Sequence, residues 1–101
     1  MEVIITKKAR DDLNDYQYHS KVSSAKYVSH LLKYASTVSK MPNIGKVVYN
    51  VKKYQIRQLI YMKHRILYMV YHQKVYILDF IHTSRNFNIQ KHFNLIQFPK
   101  L

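Results

Sequence analysis

Residues 47–86 read VVYNVKKYQIRQLIYMKHRILYMVYHQKVYILDFIHTSRN, and this stretch decides the fold. Its apolar runs are rich in Val, Ile, Leu and Tyr and are broken only by short polar groups, which is typical of β-strands. The pattern predicts strands at 46–51, 54–61, 65–71 and 75–81. Because only a few residues separate each strand from the next, we expect a meandering antiparallel sheet.

Isolated arginines lie within or just after these strands, at Arg57, Arg65 and Arg85. A three-residue loop at 62–64 would set Arg57 and Arg65 on the same face of the sheet, whereas a two-residue loop would separate them. The first arrangement predicts that the guanidinium groups converge on an uncovered face. Such a surface would bind an anion.

The next turn is predicted at residues 72–73. Counting outward from that turn sets Arg65 opposite Phe80, since residues directly across an antiparallel pair share a face. His82, two residues further along the strand, then lies on the same face as Arg65.

The N-terminal part predicts a strand followed by two helices. Residues 2–6 are short, apolar and β-branched, and Thr6 is placed to cap a helix over 7–18. A second helix is predicted over 20–40, with Ser20 as its candidate N-cap. The very short link between the helices predicts a helical hairpin.

Two further segments complete the organisation. Residues 41–45, MPNIG, contain one of two prolines and the single glycine, which makes them the clearest stop signal in the chain. The tail 86–101 predicts a short helix or an extended arm that packs back on the sheet through Ile89 and Phe93, and Pro99 ends it.

Together these elements predict an α+β fold in one domain over residues 1–101. The N-terminal strand and two-helix hairpin are expected to pack on a twisted, mainly antiparallel sheet of four to five strands, with the opposite face basic. A chain of this length, about half of it apolar or aromatic, can bury a core.

The composition narrows the function. Lys and Arg number 17 against 5 Asp and Glu, a formal net charge of +12, which favours an anionic partner. The absence of cysteine excludes disulfides and thiolate catalysis and is compatible with a reducing cytoplasm. No apolar run approaches the roughly 20 residues that a membrane-spanning helix needs, so a soluble, cytoplasmic protein is expected. The six histidines have no paired ligand spacing and a single glycine cannot form a phosphate-binding loop, so neither a metal nor a nucleotide cofactor is predicted.

Cation chemistry is the remaining route to catalysis. Cleavage of RNA without a metal needs a base, an acid and fixed positive donors around the phosphorus centre. The donors would be Arg57, Arg65 and Arg85, and His82 or a tyrosine would transfer protons. The alternative is that these arginines are structural or bind carboxylates of a partner.

Five motifs follow one another along the chain: EVIITKKARDDL at 2–13, MPNIGK at 41–46, YQIRQL at 54–59, HRILYMV at 64–70 and VYILDFIHTSRN at 75–86. In this order and spacing they resemble the RelE/ParE superfamily of bacterial toxins from type II toxin–antitoxin modules. The resemblance covers nearly the whole chain. The Ile-Thr opening, the MPNIGK turn and the ending from His82 to Arg85 look more like the ParE branch.

The resemblance implies one of two activities. RelE-like members cut messenger RNA on the ribosome, whereas ParE-like members poison DNA gyrase and need no catalytic residues. If this chain were RelE-like, its catalytic residues would be Arg57, Arg65, Arg85 and His82. Gln55 departs from a basic position of the RelE pattern, and the tyrosine expected after the final arginine has no counterpart.

The expected function is therefore that of a growth-inhibiting toxin, with DNA gyrase favoured as the target and messenger RNA on the ribosome as the alternative. In both branches the resemblance implies a cognate antitoxin with an acidic, amphipathic segment that wraps the toxin. The net charge of the chain fits such a partner, since binding would neutralise a surface that repels itself.

Overall fold

The computed structural model describes residues 1–20, 24–51 and 54–89, which form an α+β fold. Every strand boundary lies within one residue of its predicted position, because turns and apolar runs alternate clearly along the chain. The fold class is confirmed. In chain order the elements are β1 (Glu2–Ile5), α1 (Lys7–His19), α2 (Ser24–Ala35), a 3₁₀ helix (Ser36–Ser39), β2 (Lys46–Val51), β3 (Tyr54–Tyr61), β4 (His64–Tyr71) and β5 (Lys74–His82).

The described strands form a sheet in the order β1-β5-β4-β3-β2. The strands from β2 to β5 are successive antiparallel neighbours, as the short links between them predict. β1 pairs in parallel with β5 at the sheet edge. The chain runs from β1 through the two helices before it enters the meander of β2 to β5. β1, the first strand in the chain, therefore lies beside β5, the last.

Thr6 starts α1 and also ties it to the sheet. Its side-chain oxygen accepts the N–H of Ala9 at 3.3 Å, which confirms the predicted cap, and its hydroxyl donates to the carbonyl of Ile77 at 2.9 Å. Ser20 has an extended backbone and ends α1, with its N–H donating to the carbonyl of Tyr16 at 3.0 Å. α2 is described over Ser24–Ala35, and the first turn that Ser20 is predicted to cap, residues 21–23, lies outside the described residues.

The turn between β3 and β4 has two residues, Met62 and Lys63, rather than the three that would set Arg57 and Arg65 on one face. Arg57 lies opposite Tyr68, and Arg65 lies opposite Ile60. Met62 adopts a φ of 47°, in the left-handed region. Tight turns of this kind usually carry glycine or asparagine, and the sequence has neither here, so it gave no signal for the shorter turn. The predicted convergence of these two arginines is therefore wrong.

A β-bulge in the β4–β5 pair overturns a second prediction. The turn at residues 72–73 is confirmed, but the register shifts between Leu67 and Tyr68. Arg65 consequently lies opposite Ile81 and not Phe80. An extra residue on one strand exchanges the faces of everything beyond it, so Arg65 and His82 do not share a face.

The turn at residues 72–73 offers a site for stabilisation. His72 and Gln73 have φ values of 48° and 62°, a pair that favours Asn-Gly. We expect the double substitution His72→Asn, Gln73→Gly to raise the free energy of unfolding by about 1 kcal/mol, because left-handed backbone strains most L-residues. Urea denaturation measures the change. Gln55→Gly, at an exposed position in β3, is the control and should lower stability. An unchanged urea midpoint for the double variant would show that His72 and Gln73 are not strained.

The sheet buries apolar side chains on both faces. The helix-side core contains Ala9, Leu13, Val28, Leu31, Ala35, Val38, Leu59, Ile66, Tyr68, Val75, Ile77 and Phe80. The opposite face carries a second cluster of Ile56, Leu67, Met69, Leu78 and Ile81. The prediction of a basic opposite face is therefore wrong, because β4 and β5 are apolar on both sides, as central strands commonly are.

The segment after β5 packs back on the sheet as predicted, as far as the structure describes it. Phe87 and Ile89 contact the second cluster. Phe93 and Pro99, which the sequence also assigns to this arm, lie outside the described residues. None of the helices in the described ranges has the length and apolar character needed to cross a membrane.

Candidate functional site

The three predicted arginines occupy three different environments. Arg57 is half-buried on the helix side of the sheet, where its Nη1 donates to the carbonyl of Gly45 at 2.7 Å and to that of Asn43 at 3.2 Å. These bonds attach the 41–45 loop to β3. The guanidinium of Arg57 is thus engaged in holding a loop.

Arg65 projects from the other face of the sheet. Its guanidinium carbon lies 5.7 Å from the centre of the Phe87 ring, within range of a cation–π contact. Its Nε is buried and has no hydrogen-bond partner in the structure as described. The segment after β5 therefore reaches over this arginine.

Arg85 lies beyond the end of β5, where its backbone N–H donates to the carbonyl of His82 at 3.0 Å. Its side chain is exposed and lines a cleft of about 280 Å³ between α1 and the sheet. Of the four residues that the RelE resemblance marks, this cleft contains two, Arg85 and His82. It is lined by Asp12, Asp15, Tyr16, His19, His64, Phe80, His82 and Arg85.

A pair of imidazoles forms the inner part of the cleft. His64 and His82 lie directly opposite each other on β4 and β5, with ring centroids 5.3 Å apart and planes at 81°. Tyr16 stands edge-on to His64 at 4.7 Å. Because the two imidazoles are this close, a positive charge on His82 disfavours protonation of His64.

His64 is only 2% exposed. Burial, followed by the nearby charges of His82 and Lys63, lowers its pKa from 6.5 to about 4. The imidazole is therefore neutral at physiological pH. Among the histidines that the structure describes, His64 is the one that is buried. Because its ring is neutral, it can pack among the rings of Tyr16, Tyr27 and His82.

Tyr27 on α2 fixes the orientation of His64. Its hydroxyl lies 2.8 Å from His64 Nδ1 and 3.4 Å from the carbonyl of Tyr61, and it accepts the N–H of Lys63 at 3.2 Å. Burial raises the pKa of this phenol, so it stays protonated. The shorter distance favours donation to Nδ1, which leaves the imidazole proton on Nε2.

His82 is held by the turn that follows it. Its Nδ1 accepts the backbone N–H of Ser84 at 3.1 Å and lies 2.6 Å from the Ser84 hydroxyl. An N–H that donates to Nδ1 requires this nitrogen to be unprotonated, so the neutral ring carries its proton on Nε2. Both imidazoles thus share the same tautomer.

Sequence reasoning selected His82 and Arg85 but missed His64, Tyr16 and Tyr27. The pairing of His64 with His82 depends on the bulge in the β4–β5 pair, because the turn at residues 72–73 alone would set His64 opposite Ile81. The contributions of α1 and α2 could not be read from periodicity. Within the described ranges, no group of three or more His, Asp or Glu side chains is arranged to hold a metal ion.

A family model described as the ParE toxin of the type II toxin–antitoxin system parDE matches residues 3–87. The match includes the described sheet apart from Glu2, both helices and the residues that line the cleft. No curated protein matches the chain significantly.

Proposed function

Because the chain belongs to the ParE toxin family of type II toxin–antitoxin systems, we propose that it arrests bacterial growth by binding and poisoning DNA gyrase. The family membership makes the protein a toxin whose partner is an antitoxin. The target is our proposal. It depends on one observation, the separation of the arginines that a nuclease of the related RelE type would bring together.

Phosphodiester cleavage without a metal requires base, acid and cationic donors around a single phosphate. Arg57 lies on the helix side and is bonded to a loop, and Arg65 lies on the opposite face beneath Phe87. Groups on opposite faces of a sheet cannot contact one phosphate. This arrangement supports a toxin that acts by binding its target.

The antitoxin is proposed to be acidic. A net charge of +12 gives long-range attraction for an acidic segment and raises the rate of association. Several large apolar side chains are also exposed, among them Tyr18 at 85% and Met62 at 71%. An amphipathic partner would cover such side chains while its carboxylates pair with lysines and arginines of the chain.

The alternative function is a ribosome-dependent messenger RNA endonuclease. The cleft supports it, because His64, His82 and Arg85 lie together there and supply two imidazoles and a cation. Such groups could transfer protons and stabilise negative charge at phosphorus. This candidate places the chemistry in the cleft, with Arg85 as the cation and without Arg57 or Arg65.

Supercoiling by purified gyrase and transcript ends in expressing cells separate the two functions. Gyrase poisoning predicts lost supercoiling, accumulated cleaved DNA and intact transcripts. His82→Gln should then remain toxic, whereas a nuclease that uses His82 as acid or base would lose roughly a hundredfold or more in cleavage rate. His30→Gln, on the exposed surface of α2, is the matched control. Transcript cleavage with normal supercoiling would refute the gyrase proposal.

A further inference from the structure

The cleft between α1 and the sheet carries opposite charges on its two sides. Asp12 and Asp15 of α1 line one side, and Arg85 lies beyond the end of β5 on the other. The whole chain has only five carboxylates against 17 Lys and Arg, so finding two of them in one cleft is unexpected from composition. The cleft therefore offers both acceptors and a cationic donor to a ligand.

The two carboxylates differ in their availability. Asp12 is bound by Lys8, whose Nζ lies 3.2 Å from its Oδ2, and Lys8 also bridges to the buried Asp79 at 3.2 Å. Asp15 makes no ion pair within the part of the chain that the structure describes, although cations outnumber acids more than threefold. The oxygens of Asp15 remain able to accept hydrogen bonds from a ligand.

Ring surfaces lie between the charged sides. Tyr16 and His82 are nearly parallel, at 29°, with centroids 6.2 Å apart, and Phe80 also lines the cleft. The volume of about 280 Å³ is near the lower limit of roughly 300 Å³ for small-molecule sites. Stacking on these aromatic side chains is a favourable way to hold a flat ring in a cleft of this size.

The cleft offers a carboxylate, aromatic ring surfaces and a guanidinium group. A ligand that contacts all three has adjacent N–H donors, a flat ring and an anionic group. A carboxylate only accepts hydrogen bonds, so it pairs best with two donors side by side. The Watson–Crick edge of guanine presents such a pair at N1 and N2, whereas adenine and cytosine each set a donor beside an acceptor. A phosphate supplies the anion for the guanidinium.

We propose that this cleft binds a guanine nucleotide unit, with the carboxylate of Asp15 on the base edge, Tyr16 and His82 against the ring, and Arg85 on the phosphate. The unit is either free 5′-GMP or a guanosine within a single strand. The proposal goes beyond gyrase poisoning and does not depend on it, because no gyrase-binding surface has been assigned to the cleft. The alternative nuclease function would use this same cleft.

Titration of the ¹⁵N-labelled full chain with 5′-GMP, followed by NMR and calorimetry, tests the proposal. We expect saturable binding, with shifts centred on α1 residues 12–19 and on the end of β5. Inosine monophosphate, which lacks the exocyclic amine, and guanosine, which lacks the phosphate, should each bind about tenfold more weakly, the equivalent of one lost charge-assisted hydrogen bond.

Two variants assign the contacts. Asp15→Asn should abolish the preference for GMP over inosine monophosphate, and Arg85→Ala should abolish the preference for GMP over guanosine. Asp11→Asn, on the same helix with the same charge change, and Arg10→Ala are matched controls that should retain both preferences. Thermal melting of each variant shows that it is folded.

Equal affinity for GMP, CMP and guanosine, or shifts outside the cleft, would show only general attraction of nucleotides to a basic protein and would overturn the proposal. So would the absence of binding at millimolar GMP. A trinucleotide with a central guanosine distinguishes a free nucleotide from a guanosine within a single strand as the natural ligand. Tighter binding than GMP with the same dependence on Asp15 identifies a single strand, and equal or weaker binding with that dependence identifies the free nucleotide.

Discussion

Replacing Gly45 with alanine is expected to lower the free energy of unfolding by about 3 kcal/mol, an effect at the upper end for overpacking. A Cβ on Gly45 would lie 2.6 Å from Tyr68 Oη, 2.7 Å from Tyr68 Cε1 and 3.0 Å from the carbonyl oxygen of Gln58. Tyr68 is fully buried and Gln58 contributes backbone, so neither can move cheaply. Chemical denaturation followed by far-UV circular dichroism measures the loss.

The same contact holds the loop before β2. Gly45 N–H donates to Tyr68 Oη at 2.8 Å, and that hydroxyl donates to the carbonyl of Pro42 at 2.9 Å. Burial raises the pKa of Tyr68, so the phenol stays protonated and able to donate. Displacing the ring would therefore leave two loop groups without their partner, which adds to the steric cost.

A double-mutant cycle tests this account. Tyr68→Phe alone should cost about 1–3 kcal/mol, because it leaves the buried N–H of Gly45 and the partly buried carbonyl of Pro42 unpaired. Combined with Gly45→Ala, it should cost less than the sum, since removing Oη relieves the shortest contact. Tyr18→Phe, at an 85% exposed position, is the control. An alanine variant as stable as the parent would contradict the close approach of Tyr68.

The stability of the toxin is expected to fall as pH decreases from about 6.5 to about 4, in part because of His64. In the unfolded chain its imidazole binds a proton near pH 6.5, but in the folded protein its pKa is lowered to about 4. Between these values the unfolded state binds one more proton, so the free energy of unfolding decreases by up to about 1.4 kcal/mol per pH unit. Above pH 6.5 the contribution is fully present.

The groups around His64 set the size of this effect. The hydroxyl of Tyr27, the imidazole of His82 and the ammonium of Lys63 all favour or tolerate the neutral ring. The carboxylates of Asp12 and Asp15 line the same cleft and would moderate the cost of protonation. We expect a total loss on the order of 2 kcal/mol.

Comparing His64→Asn with the parent isolates this contribution. The variant should be less stable at pH 7.5, because it loses packing against Tyr16, but its stability should decline less between pH 6.5 and 4.5. His30→Gln removes an exposed histidine and should leave the decline unchanged. If His64→Asn showed the same pH dependence as the parent, His64 would not be the titrating group.

The apolar periodicity was sufficient to predict the fold class, the strands and the start of α1. It was sufficient because each element is specified locally: strands by β-branched and aromatic runs, α1 by the cap at Thr6, and the change from helix to strand by the segment 41–45. The end of α1 was also predicted closely, since the helix expected over 7–18 ends at His19.

The site was predicted less completely, and the errors have a common cause. The arginines were correctly identified as isolated cations, but their faces depended on counting residues across two turns. One turn was a residue shorter than assumed, and one pairing contains a bulge. Because side chains alternate at every residue of a strand, an error of one position moves a side chain to the opposite face.

The sequence by itself determined the basic charge, the order of the elements and the motifs that mark a type II toxin, since these are properties of composition and local pattern. Only the tertiary structure decided that Arg57 holds a loop, that Phe87 lies over Arg65, and that His64 and His82 meet beside Arg85. These relations depend on strand register and on which helix packs where. Both are fixed by contacts between residues distant in the chain, which no local pattern records.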